Sequence, residues 1–265
     1  MLTPKPFTGS IFVNDKNELF TAGLGPKGEQ GSGQNSSSQE LKTLHNWLPP
    51  QLHGQEIVDL AGGVNHSVLV LANGQVFGWG NGRKGQLGEP AEVVWSPRQF
   101  QSLEFPVVQA VCGREFTYLV GRNGRHAILG SNKHDVKSYD TAGISEEFKG
   151  SAASWGSLFV LEKSGRLHSW GRNDHGQLAP RSSCLPEIVD IAAGSEHVVA
   201  LTKDTLTKNG GIISWGWGEH GNCGADVNEN GDVKGRWNEI ATPDGSAKVL
   251  GVGAGCATSF FWIDT

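Results

Sequence analysis

One phrase recurs along this chain and restricts its possible folds more than any other feature. It consists of an apolar strand, a Gly or Ala patch, a second apolar strand, a polar turn, a third strand ending in Trp-Gly, and a loop similar to Gly-Gln-Leu. Complete copies occupy residues 57–90, 107–138, 148–180 and 188–225, and partial copies occupy 10–33 and 249–263. Such self-similarity is typical of repeat architectures, in which each unit buries its apolar face against its neighbours.

The spacing of the copies predicts a β-propeller. Gly80, Gly130, Gly171 and Gly216 close the third strand of each complete copy and are 50, 41 and 45 residues apart. Propeller blades repeat every ~40–50 residues. The strands are short, rich in Val, Ile, Leu, Phe and Trp, and bounded by Gly or Asn turns, and no segment keeps a helical period. We therefore predict an all-β propeller that forms a single domain over residues 1–265.

The composition agrees with a folded chain that turns often. The sequence contains 38 glycines, with 37% hydrophobic and 18% charged residues. Disorder would require fewer apolar residues and a higher net charge. The formal net charge of −5 argues against a general nucleic-acid binder, which needs clustered Lys and Arg. No stretch reaches the ~18 apolar residues of a membrane span, and residues 1–10 lack the apolar segment of a signal peptide.

The cysteines indicate a reducing compartment. Cys112, Cys184, Cys223 and Cys256 are far apart and form no Cys-x-x-Cys pair. This pattern is typical of reduced thiols in the cytoplasm or the nucleus, and it predicts no structural zinc within the chain.

The two ends of the chain do not complement each other. Residues 10–13 and 258–263 both match the second strand of the repeat. In a ring closed by both termini, however, the two ends of the chain must supply different strands of the same blade. With four complete and two partial copies, the expectation is that one or two N-terminal blades of a longer relative are lacking. A smaller, fully closed propeller is the alternative.

The tryptophans divide into two kinds. Trp79, Trp170 and Trp215 share the Trp-Gly position, where a large aromatic side chain fills the space between neighbouring blades. Leu129 stands at this position in the second copy. Trp217 lies two residues beyond it, between Gly216 and Gly218, so we expect it in a loop. Because interface hot spots are enriched in Trp, it is a candidate contact residue.

The histidines divide in the same way. His66 and His197 share a Gly-x-x-His position, which predicts a repeated structural role, a hydrogen bond to neighbouring backbone. His175 and His220 precede the loop glycine, as Lys84 does, so all three are expected on one face of the propeller. Loops on one face of a rigid scaffold concentrate binding residues.

No catalytic motif stands out. The chain has no Gly-x-Ser-x-Gly elbow and no evident pair of catalytic carboxylates, and residues 78–88 lack the Gly-Lys-Ser/Thr ending of a phosphate-binding loop. Residues 226–235 lack the Glu of a calcium loop, since Trp237 stands at its twelfth position, so they are interpreted as a solvated excursion. Residues 35–50 are interpreted as an excursion between blades. Cys223 is expected in an exposed loop. We expect its side chain to pack as a small apolar group at the position where other copies have Leu, and a redox role is the alternative.

The combination of Gly-x-x-His, Trp-Gly and Gly-Gln-Leu-Gly resembles the regulator-of-chromosome-condensation repeat over most of the chain. That resemblance implies a propeller, seven-bladed in the family. Three segments, GSEH at 194–197, WGWGEHGNCG at 215–224 and GCAT at 255–258, resemble more closely the Elongator- and diphthamide-associated killer-toxin-insensitivity branch. That closer resemblance implies a heterodimer with a small zinc-bearing electron-carrier protein. The pair would support diphthamide synthesis and Elongator-dependent modification of tRNA wobble uridines.

The predicted function is therefore protein binding without catalysis. We expect no catalytic residue, metal ligand or cofactor, and no direct contact with nucleic acid or membrane. Loop placement gives the candidate residues for contact with the partner protein: Trp217, Glu219, His220, Asn222, Glu196, Arg172 and His175. Elongator itself is a further possible partner. The alternative function is guanine-nucleotide exchange on a small GTPase, since a shared fold does not fix the activity.

Overall fold

The computed structural model describes residues 9–44, 48–122, 124–138, 144, 148–181, 185–203, 211–242 and 248–264. These residues form nineteen β-strands and two short 3-10 helices, Pro50–Leu52 and Lys133–Asp135. The chain divides into two compact units, Met1–Asn132 and Lys133–Thr265, each of which is described by itself.

The first unit contains three antiparallel sheets in chain order. The first sheet is β1-β2-β3, the second β4-β5-β6-β7 and the third β8-β9-β10. The strands of the first sheet are Gly9–Val13, Leu19–Gly25 and Ser36–Thr43. Those of the second sheet are Ile57–Gly62, His66–Leu71, Val76–Asn81 and Val93–Gln99, and those of the third sheet are Val107–Cys112, Phe116–Gly121 and His126–Gly130. A single cluster of buried apolar side chains joins the three sheets.

The second unit also contains three antiparallel sheets. They are β11-β12-β13, β14-β15-β16-β17 and β18-β19. The strands of the fourth sheet are Phe148–Ala153, Ser157–Glu162 and Leu167–Gly171. Those of the fifth sheet are Ile188–Ala193, His197–Thr202, Gly211–Trp217 and Asp232–Ile240, and those of the sixth sheet are Val249–Ala254 and Ser259–Ile263. Two apolar clusters fill the spaces between consecutive sheets.

The six sheets match the six copies of the repeat. In the four complete copies the second strand (β5, β9, β12 or β15) is buried along its whole length, because it lies in the middle of its sheet with apolar neighbours on both faces. The register also confirms that both end segments hold the second-strand position. β1 pairs with β2 as β5 pairs with β6, and β19 pairs with β18 as β5 pairs with β4. The expectation of missing blades stays a prediction.

Two segments interpreted as excursions contain strands. Ser36–Thr43 pairs with β2, and Asp232–Ile240 pairs with β16, so each is the last strand of its sheet. The first interpretation was wrong over residues 36–43 and the second from Asp232 onward, because these strands carry polar sequences without apolar alternation. Residues 226–230 form a largely exposed loop, as predicted. An outer strand gains much of its stability from backbone hydrogen bonds, which leave little trace in a hydrophobic pattern.

Each repeated indole group donates a hydrogen bond to a loop that lies earlier in the chain. Trp79 Nε1 donates to the carbonyl of Glu29 over 3.0 Å, Trp170 Nε1 to Val136 over 2.7 Å, and Trp215 Nε1 to Gln177 over 2.9 Å. All three rings are buried. The predicted structural role of the repeated tryptophans is therefore confirmed, and each ring serves a second purpose as a hydrogen-bond donor.

The repeated histidines form a second link between sheets. His66 Nε2 lies 3.0 Å from Thr117 Oγ1, and His197 Nε2 lies 3.1 Å from Ser259 Oγ. Both rings are almost completely buried, and burial lowers the pKa of each to about 4. The structural role is confirmed. Each ring contacts a hydroxyl group of the next sheet in addition to the backbone that we expected.

The glycine that closes each third strand is required by the backbone. Gly80 has a φ of 102° and Gly216 a φ of 104°, in the left-handed region that favours glycine. A methyl group at Gly80 would collide with the carbonyl oxygen of Asn65 at the start of the second strand. We expect Gly80→Ala to lower the free energy of unfolding by about 1–3 kcal/mol, measured by urea denaturation. Gly54→Ala is the control, since Gly54 also has positive φ but open space around it; equal losses in the two variants would contradict the role of the collision.

Candidate protein-binding surface

Trp217 is the last residue of β16, not a loop residue as we expected. It pairs with Asp232 of β17, and its N–H donates to the Glu196 carbonyl over 2.9 Å. Gly216, with its positive φ, changes the direction of the chain between the two tryptophans. As a result Trp215 is completely buried, whereas Trp217 is half-buried and reaches the surface.

Two loop histidines meet at the Trp217 ring. The His220 ring lies edge-on to the indole with ring centres 5.1 Å apart, and the His175 ring is tilted to it with ring centres 6.1 Å apart. His220 and its neighbour Glu219 are exposed, and His175 is half-buried. We call Trp217, His175, His220 and Glu219 the Trp217 surface. The expectation that His175 and His220 lie on one side is confirmed, because repeat-equivalent loops project from equivalent strand ends.

A buried carboxylate holds His175 in place. The His175 Nδ1–H donates to Asp232 Oδ1 over 2.9 Å, and the Asp232 side chain is 6% exposed. The N–H of Asp232 in turn donates to Asn228 Oδ1 over 2.8 Å. Sequence reasoning missed Asp232 because it lay in a segment interpreted as solvated, and only its pairing with Trp217 in β17 brings it here.

A charged network lies beside the Trp217 surface. Arg172 Nη2 donates to Asp174 Oδ2 over 2.6 Å, and Arg172 Nη1 donates to Glu196. Gln177 Nε2 donates to both carboxylates, over 3.0 Å to Asp174 and 2.7 Å to Glu196. Burial alone would raise the pKa of Asp174, but the hydrogen bonds from Arg172 and Gln177 outweigh it and hold that pKa well below its usual range. Asp174 and Gln177 were not predicted from the sequence as members of this network.

The candidate residues therefore occupy two layers. Trp217, Glu219, His220, Arg172 and His175 reach the surface to different degrees. Glu196 and Asn222 are 5% and 6% exposed, so they support the surface from beneath. Asn222 Nδ2 donates to the Trp217 carbonyl over 2.7 Å, and its Oδ1 is buried without a hydrogen-bond partner among the described residues.

Cys223 is completely buried, so the expected exposed loop thiol is not found at this position. It packs in the apolar cluster of the second unit, so the prediction that it packs as a small apolar group is confirmed. Burial raises the pKa of its thiol to about 11, which disfavours the thiolate that redox chemistry needs. Cys256 is an exposed free thiol, and Cys184 lies outside the described residues.

Within the described ranges, no three His, Cys, Asp or Glu side chains lie close enough together to hold a metal ion. None of the helices in the described part of the chain has the length and hydropathy to span a bilayer. The side chains that reach the Trp217 surface are aromatic or charged.

The geometry defines a repeat protein in which loop residues and the strand residue Trp217 form one surface, and comparison with known families identifies the repeat. A family model for the regulator of chromosome condensation (RCC1) repeat matches residues 73–120 and 164–201, and a second model for this repeat matches 57–86. The chain therefore contains RCC1 repeats over residues 57–120 and 164–201.

Curated relatives are similar to this chain over most of its length. An RCC1 repeat-containing protein of Schizosaccharomyces pombe is 31% identical over 225 residues, which cover 82% of this chain and 61% of the relative. The secretion-regulating guanine nucleotide exchange factor of Mus musculus is 25% identical over 306 residues, covering 94% of this chain and 62% of the relative. The chain thus spans less than two thirds of the length of these relatives.

Solved structures agree on the fold. Human WBSCR16 superimposes with a TM-score of 0.78 at 18% identity, covering 97% of this chain and 70% of that one. Prp20p of Saccharomyces cerevisiae gives a TM-score of 0.63 at 16% identity, covering 98% and 81%. The fold is an RCC1-type β-propeller, as the sequence predicted.

Proposed function

We propose that this propeller is a non-catalytic binding protein that docks a protein partner on the Trp217 surface. The observation that carries the proposal is the convergence of one half-buried indole with two histidine-bearing loops. Tryptophan offers a large contact area and is enriched among the residues that dominate binding energy. Exposed Glu219 and half-buried Arg172 supply charges that can orient the partner.

The support beneath this surface favours tight binding. Asp232 fixes the His175 ring, Glu196 anchors Arg172, and Asn222 holds the Trp217 carbonyl. Side chains that are already ordered lose little conformational entropy when a partner binds. A rigid surface of this kind suits a long-lived complex such as a heterodimer.

The partner we propose is a small zinc-bearing electron-carrier protein. The support is the resemblance of residues 194–197, 215–224 and 255–258 to the killer-toxin-insensitivity branch, and the first two segments supply Glu196, Trp217, Glu219, His220 and Asn222. In that branch the pair serves diphthamide synthesis and Elongator-dependent tRNA modification. We therefore propose these pathways, and the cytoplasm and nucleus as the compartments. No cofactor in the propeller itself is required.

The double variant Trp217→Ala/His220→Ala tests the surface. We expect it to weaken binding of the purified zinc protein by about 100-fold in calorimetry, because the indole and its neighbouring imidazole are lost together. The matched control is Asn81→Ala/Lys84→Ala. Asn81 occupies the same repeat position as Trp217, as its N–H donates to the Asn65 carbonyl over 2.7 Å, and Lys84 occupies that of His220.

The control should bind with unchanged affinity, and thermal unfolding should confirm that both variants are folded. Unchanged binding by the Trp217/His220 variant, or equal weakening in the control, would refute the proposed surface.

Guanine-nucleotide exchange on a small GTPase is the second candidate. It is favoured by the similarity to the mouse secretion-regulating guanine nucleotide exchange factor over most of this chain. A fluorescent nucleotide-release assay separates the two functions, since a binding propeller without exchange activity leaves the release rate at its intrinsic value.

A further inference from the structure

The Trp217 surface is acidic as well as aromatic. Glu219 is exposed on it, and the side chain of Asp174 is 54% exposed, with its Oδ2 3.9 Å from Nε2 of His175. On the other side of the His175 ring, Asp232 Oδ1 lies 2.9 Å from Nδ1. Carboxylates therefore flank this imidazole at both of its nitrogens, and a further carboxylate lies on the loop that follows Trp217.

The cations beside this surface already make contacts within the chain. Arg172 donates from Nη2 to Asp174 over 2.6 Å and from Nη1 to Glu196, so one guanidinium group serves two carboxylates. Lys234 donates from Nζ to the backbone carbonyl of Asp174 over 3.0 Å. The surface and these neighbours contain two cations, Arg172 and Lys234, and four carboxylates, Asp174, Glu196, Glu219 and Asp232. Their formal charge is therefore negative.

Asp174 stays ionised at neutral pH. Burial acts to raise its pKa, but the hydrogen bonds from Arg172 and Gln177 outweigh burial and hold that pKa well below its usual range. Those two bonds use one site on each carboxylate oxygen. Because a carboxylate offers about four lone-pair sites and more than half of this side chain is in solvent, Asp174 can accept further hydrogen bonds from a partner.

An indole ring next to carboxylates attracts a cation. Trp217 is half-buried, so part of its ring is in solvent, and the face of an indole ring attracts positive charge. Arginine suits this arrangement because its planar guanidinium group stacks on an aromatic ring while its N–H groups point outward in the same plane, toward a carboxylate. The lysine ammonium group is more strongly hydrated and lacks this planar fork of donors.

We propose that the partner presents an arginine side chain to the Trp217 surface, with its guanidinium group against the indole ring and hydrogen-bonded to Asp174. Such a contact presupposes the docking proposed above, and it specifies the chemistry of the partner at this surface. Glu219 and Asp232 add attraction over a longer range. Electrostatic complementarity of this kind steers the approach of a partner and suppresses wrong ones.

Capped tripeptides test this contact without the partner. The probes are acetyl-Gly-Arg-Gly-amide and the same peptide with Lys or Gln in the middle. They are titrated into the full chain labelled with ¹⁵N, and the NMR signal of the Trp217 indole N–H, assigned with Trp217→Phe, reports binding. We expect the Arg peptide to bind with a Kd of about 10 mM, the Lys peptide at least about threefold more weakly, and the Gln peptide not measurably.

Two protein variants locate the guanidinium group. Asp174→Asn removes the charge but keeps the size of the side chain, and it should weaken binding of the Arg peptide by about fivefold. Asp190→Asn is the matched control, since Asp190 is exposed in β14 and accepts from the Ile191 N–H, so binding should be unchanged. If Asp174→Asn does not fold, Glu219→Gln at an exposed position should weaken binding by about twofold.

The arginine contact is wrong if the Arg and Gln peptides bind equally, if no peptide shifts the Trp217 signal, or if the Asp174 and Asp190 variants lose the same affinity. A Lys peptide that binds as tightly as the Arg peptide also contradicts it. The docking proposal survives each of these results if Trp217→Ala/His220→Ala still weakens binding of the zinc protein. Normal binding by that double variant, together with the expected peptide results, would keep the guanidinium site and refute docking of the zinc protein there.

Discussion

Lowering the pH from 6.5 to 4.5 is expected to reduce the free energy of unfolding by about 2–3 kcal/mol for each of His66 and His197. Burial lowers the pKa of both rings to about 4, against 6.5 in the unfolded chain. The unfolded state therefore binds protons first as the pH falls through 6.5, so stability is lost between the two pKa values. Urea unfolding at several pH values in this window measures the effect.

Three other groups have shifted pKa values that bear on this pH window. Burial raises the pKa of Asp59, which acts in the opposite direction around its own titration, and it lowers the pKa of His126, which acts in the same direction as His66 and His197. Asp174, with its lowered pKa, loses its stabilising contribution only as the pH falls through its unfolded value of 3.8. The variant His66→Asn/His197→Asn removes both rings and keeps a polar side chain at each position. It should show a much flatter pH dependence, and a slope equal to that of the parent protein would show that other groups cause the acid lability.

Trp215→Ala is expected to lower the free energy of unfolding by about 3–5 kcal/mol. The ring is completely buried in the apolar cluster of the second unit, and its Nε1–H satisfies the Gln177 carbonyl over 2.9 Å. The substitution therefore leaves both a cavity and an unpaired buried carbonyl. Urea denaturation followed by circular dichroism measures the loss.

Trp262→Ala is the matched control for that experiment. Trp262 is 53% exposed in β19, so its replacement should cost about 1 kcal/mol or less. Similar losses for the two tryptophans would mean that the repeated position does not hold consecutive sheets together.

The repeat predicted the strands that lie inside the sheets, because those strands must be apolar on both faces. It did not predict β3 and β17, the last strands of their sheets, since their polar sequences are stabilised through backbone pairing. The Trp-Gly positions were predictable for a further reason. The same close approach that requires glycine at Gly80 and Gly216 recurs in each copy, so a local constraint appears as a sequence signature.

The candidate surface was predictable only in part. Equivalent loop positions bring His175 and His220 to the same side, and this follows from the repeat alone. Burial of Glu196, Asn222 and Cys223 does not, because it depends on side chains from distant parts of the chain that pack over them. Asp232 is the clearest example: its contact with His175 joins residues 57 positions apart, and no local pattern marks it.

A photo-crosslinking amino acid placed at position 220 tests the binding surface most directly. With the small zinc-bearing protein present, irradiation should produce a covalent heterodimer from position 220 and little or none from position 84, the equivalent loop position in the second sheet. Crosslinking from position 84 alone, or a stable complex that crosslinks at neither position, would contradict the assignment of binding to the Trp217 surface.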